Sequence, residues 1–170
     1  MLPRTLLTVI GSNQPVADLK GAIGLSADHG CHLSVAVVGI ALPPPASVYW
    51  AVPVDTWAQE REEGQKEVTA KVEAVEKALA DAGVSGDVTP IFCDESQIAS
   101  LVGTRARYVD LALVQATKGM ELRLFDKTLE GYLFDSAKPF LALPRDGGTS
   151  LKPKRILVAW NTSKEAARAV

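Results

Sequence analysis

Short apolar runs alternate with amphipathic helical patterns along this chain, and that order leaves few folds open. The runs are residues 6–10, 33–40, 88–92, 111–115 and 140–143, each nearly free of charge, as expected of parallel strands covered on both faces. Val16, Leu19, Ala22 and Ile23 mark a first helix. The strongest helical pattern spans 57–82, where Val68, Val72, Val75 and Leu79 recur at three- and four-residue steps among Glu and Lys. Gly83 stands where a left-handed C-cap would end it. Asp94 and Gln97 form a capping box for a third helix, whose stripe is Ile98, Leu101 and Val102. A fourth helix is expected over 121–136, burying Leu122, Phe125, Leu129 and Leu133. Five strands alternating with four helices predict a doubly wound α/β fold: a five-stranded parallel sheet, Rossmann-like, with helices on both faces.

The opening of the chain recurs. A basic residue, Arg4, leads an apolar run into the small polar turn Gly11, Ser12 and Asn13. Residues 154–160 repeat that run and end at Asn161 and Thr162, with Ala166, Ala167 and Val170 in helical spacing beyond. Repetition at this distance predicts two like domains in tandem: an α/β domain over 1–145, a linker over 146–153, and the truncated start of a second domain over 154–170. The linker carries Gly147, Gly148, Thr149 and Ser150.

Composition narrows the function. The chain has 170 residues and 47% hydrophobic content, enough for one good core. Its formal net charge of −2 gives no global reason to expect nucleic acid or an anionic membrane as partner. Cys31 and Cys93 are too few for a disulfide framework, and a reduced, cytoplasmic protein is expected. Residues 33–54 carry no charge and match a membrane span in length. Pro43, Pro44, Pro45 and Pro53 break that stretch, so it is expected to be a buried strand and then an apolar loop.

The order of these elements resembles the universal stress protein family over residues 5–144. The likeness is carried by the opening strand and turn, the long helix ending at 78–83, the run 88–92 into a capped helix, and residues 108–114 and 138–144. The resemblance implies a stress-response protein that acts by binding and association, not as an enzyme. It also implies a sheet in which strands one and four lie side by side, with ligands held beyond their carboxyl ends. The candidate pocket is then Gly11, Ser12 and Asn13 facing Gln115, Thr117 and Gly119.

Nucleotide-binding members of that family carry Gly-x-x-Gly, nine residues, then Gly followed by Ser or Thr after strand four. Glycines there let backbone amides approach phosphate oxygens. Counted from Gly119, the second glycine position holds Leu122 and the final pair is Tyr132 and Leu133. A degenerate nucleotide site is therefore expected, with no cofactor. ATP or AMP at the same pocket, with weak hydrolysis, is the alternative. An adenylate-forming enzyme would want a Ser-Gly-Gly loop after strand one, and Gly11-Ser12-Asn13-Gln14 does not supply it.

Other chemistry is sparse. His29, Cys31 and His32 are the only metal-type cluster, and without a fourth donor nearby no metal is expected. No Ser-His-Asp or Cys-His arrangement is legible. The loop 41–56 carries Tyr49 and Trp50 with no charge before Asp55. It is read either as a partner surface or as a flap folded over the sheet. The fifth strand, with Phe140, Leu141 and Leu143, is an apolar edge expected to form a homodimer.

Overall fold

The computed structural model describes residues 2–41, 54–115, 122–144 and 149–169. Five strands form one sheet: β1 (Thr5–Gly11), β2 (His32–Ile40), β3 (Gly86–Cys93), β4 (Leu111–Gln115) and β5 (Phe140–Leu143). Their order is β3-β2-β1-β4-β5, and every pairing is parallel. The helices are α1 (Lys20–His29), entered through the 3₁₀ turn Val16–Leu19, then α2 (Val54–Asp81), α3 (Glu95–Ala106) and α4 (Leu122–Glu130). A π-turn, Gly131–Asp135, prolongs α4. A short α5 (Lys164–Ala169) lies near the end.

The period-two alternation of each strand sorts its side chains onto two faces. Leu6, Ile10, Leu33, Val35 and Val37 pack with Leu25, Val68, Val75 and Leu79 of α1 and α2. Leu7, Ala36, Val38 and Val114 pack with Ile98, Val102 and Leu124 of α3 and α4 and with Tyr132 of the π-turn. The doubly wound α/β sheet expected from the sequence is the observed fold. Its local devices are also present. Gly83 takes a φ of 63° after α2, with Val84 N–H donating to the Leu79 carbonyl at 3.0 Å. Asp94 and Gln97 close the capping box of α3.

Two expected stripes are corrected. In α4 the buried side chains are Leu124 and Thr128, with Tyr132 following in the π-turn, whereas Leu122 and Leu133 are exposed and Phe125 and Leu129 half-buried. In α3, Leu101 faces solvent while Ile98 and Val102 are fully buried. Residues 155–160, whose pattern matches β1, pair with no strand among the described residues; Ile156 and Leu157 are exposed. A strand requires a neighbour's backbone groups, and apolar alternation alone does not create one.

Candidate functional site

Strands β1 and β4 are neighbours at the centre of the sheet, so the crevice beyond their carboxyl ends is the switch point. β1 ends at Gly11, which is buried. Its N–H donates to the Oε1 of Gln14 at 2.6 Å, and the Gln14 N–H donates back to the Gly11 carbonyl at 3.1 Å. Ser12 N–H donates to the Val38 carbonyl at 2.9 Å, tying the turn to β2. Asn13 is exposed and Ser12 half-buried.

Gln14 is 3% exposed although its side chain ends in a polar amide. Its Nε2 donates to Asp18 Oδ2 at 3.4 Å, and its backbone carbonyl accepts from Lys71 Nζ of α2. A Cβ added at Gly11 would meet Asn13 Oδ1 at 3.0 Å, Gln14 Oε1 at 3.2 Å and Leu124 Cδ2 at 3.2 Å. The space above the end of β1 is thus filled by a glutamine and a leucine of the chain itself.

Gln115, at the end of β4, turns sideways from this cluster. Its Nε2 donates to the Pro144 carbonyl at 3.2 Å, and its amide would touch a Cβ at Gly21 of α1. Thr117 and Gly119 lie outside the described residues, as do Tyr49 and Trp50. Tyr132, which takes a glycine position of the family pattern, is a core ring. It is 1% exposed, its hydroxyl donates to the Leu113 carbonyl at 3.3 Å, and burial pushes its phenol pKa up.

The residues His29, Cys31 and His32 take separate partners. His29 Nε2 accepts the Leu151 N–H at 3.3 Å and Cys31 Sγ donates to the Pro3 carbonyl at 3.2 Å. Burial first, then the charge of Asp110, raises the Cys31 pKa, which keeps that thiol protonated.

His32 belongs to a cluster that sequence spacing did not announce. Leu33 pairs with Gly86 and Ser34 with Asp87, so the register brings His32 beside Ser85 at the amino ends of β2 and β3. His32 Nε2 lies 2.8 Å from Asp87 Oδ1 and Nδ1 lies 3.0 Å from Ser85 Oγ, while Ser34 Oγ donates to the same Asp87 oxygen at 2.7 Å. Partial burial raises the Asp87 carboxyl, but the bonds from Ser34 and His32 and the charges of His32 and Arg105 outweigh it and hold it below the usual range.

No protein-family model and no curated protein matches the chain. Solved structures do. A universal stress family protein from Burkholderia pseudomallei is 19% identical, with 83% of this chain and 96% of that one covered at a TM-score of 0.53. A universal stress protein in complex with cAMP is 14% identical over 84% and 98%, at 0.52. A universal stress family protein from Arabidopsis thaliana with AMP bound is 13% identical over 84% and 92%, also at 0.52. With the strand order, the two helical layers and the switch point in place, the chain has the universal stress protein fold.

Proposed function

We propose that this chain is a universal stress-type protein that acts by binding and association, with its own switch point closed to nucleotide. One observation carries the reading. The Gly11 amide, which a phosphate or ribose oxygen would need, already donates to a buried Gln14 oxygen at 2.6 Å. A ligand would have to displace that amide and leave a buried donor or acceptor unpaired, at a cost of about 1–3 kcal/mol before any gain. Leu124 against Gly11 adds an apolar wall where charge would sit. Two free, buried cysteines suit a reducing cytoplasm. Among the described residues no helix is long and apolar enough to cross a membrane.

The second reading, a nucleotide-binding domain, draws on the AMP and cAMP in two of the similar structures. Calorimetric titration with Mg-ATP separates the two. The closed site predicts a Kd of about a millimolar or weaker, near −4 kcal/mol. Micromolar binding, or nucleotide co-purifying with the protein, would overturn it.

A further inference from the structure

We infer that Ser85, His32 and Asp87 form a surface nucleophile relay that accepts acyl groups from small activated esters. The three residues are set by register. His32 and Ser34 lie two apart on β2, Asp87 and Thr89 two apart on β3, all on the face that carries α3. α3 covers that face only toward the carboxyl ends of the strands, where Ile91 and Cys93 are buried; Ser85 and Asp87 are exposed at the other end.

For the neutral ring, one tautomer satisfies every contact. With Nε2–H donating to Asp87, Nδ1 keeps its lone pair, and the Ser85 hydroxyl is the group that donates to it. Ser34, donating to the same carboxylate oxygen, keeps Asp87 from turning away. Arg105 of α3 donates to Thr89 Oγ1 at 3.0 Å and adds positive charge to the same strand face. Carboxylate, imidazole and hydroxyl thus stand in the order that a base-activated nucleophile needs. β3 is an edge strand, and polar side chains protect an edge. That requirement explains polarity but not a hydroxyl aimed at a ring nitrogen whose other nitrogen meets a carboxylate.

Ser85 is exposed to solvent, so the substrate class is an ester whose leaving group departs without protonation. Ser85 Oγ attacks the carbonyl carbon, its proton passes to His32 Nδ1, and the bond to the aryloxide breaks. The imidazolium then releases its proton to solvent. Water attacks the acyl-serine, giving one proton to His32, which passes it to Ser85 Oγ as the carboxylic acid leaves and ionises to solvent.

The test uses p-nitrophenyl acetate on the purified chain. We expect a burst of about one p-nitrophenolate per chain, with the acetyl group on Ser85 by peptide mass spectrometry and absent from Ser85→Ala. His32→Gln should slow acylation about a hundredfold. Asp87 acts through His32 as a positioning residue, so Asp87→Asn should slow acylation in a chain that remains folded, and Asp87→Glu should restore part of the rate. Acetyl spread over lysines with Ser85 bare would overturn the relay. Ser85 acetylated equally fast in His32→Gln would overturn it too.

Discussion

Asp110 lies just ahead of β4, and its Oδ2 accepts the Arg4 N–H at 2.8 Å, the Thr5 N–H at 3.1 Å and the Thr5 hydroxyl at 3.1 Å. The bond from Arg4 foremost, then those from Thr5, hold its carboxyl below the usual range. In the unfolded chain the group returns to about 3.9. Its stabilisation is therefore complete above that pH and is lost as pH falls through the lower folded value. We expect Asp110→Asn to unfold at lower urea than the parent at neutral pH, with the gap narrowing as pH drops below about 4. Urea midpoints measured across that range check it, and a gap independent of pH would refute the assignment. Single residues were the least legible scale. Nothing in Gly11-Ser12-Asn13-Gln14 announces that the glutamine folds back on the glycine, because that contact depends on Lys71 and Leu124 from distant helices. His32, Ser85 and Asp87 are 53 and 55 residues apart and meet only through strand register.

Elements were read more readily than their faces. Strand cores at 111–115 and 140–143 and the capped α3 follow from apolar runs and capping chemistry that act over a few residues. The phase of α4 does not. Residues 122–134 are rich enough in Leu, Phe and Tyr to offer two apolar stripes, and Thr128 interrupts the one that is buried. The choice is made by a close crossing with α3: a Cβ at Gly131 would run into the Ala99 carbonyl oxygen and come within 3.0 Å of the Gly103 nitrogen. Only a glycine lets the two backbones approach so nearly, and this rotates Tyr132 inward. Gly131→Ala should cost about 1–3 kcal/mol by overpacking. Thermal melts of the variant check this. An unchanged melting temperature would mean that the two backbones have room for the added methyl group.

At the scale of the whole molecule, the sheet has two edges that differ in chemistry. β3 carries Asp87 and Pro90, residues that discourage further pairing. β5 carries Phe140-Leu-Ala-Leu143 and, among the described residues, pairs only with β4. Phe140 and Leu141 are half-buried against the two cores, Leu143 is inside the core, and Ala142 is exposed. We propose a two-fold dimer along β5, held by its outer backbone and by the exposed parts of Phe140 and Leu141, with Leu143 serving the monomer. Ala142→Lys puts a charge on that edge without entering the core, and light scattering should show it monomeric where the parent is dimeric. A monomeric parent at high micromolar concentration would end the proposal.

The contact between Leu151 and His29 gives the chain a direction. β5 finishes at Leu143, at the same pole of the sheet as the switch point, whereas His29 closes α1 at the opposite pole, where β2 begins. Leu151, eight residues on, is seated against the core at that opposite pole. Whatever follows sets out from the pole where every strand of the sheet starts. A segment such as 155–160 leaving from that point along the sheet would run parallel to its neighbours, while an antiparallel course would need a second traverse, about 13–30 Å for strands of this length.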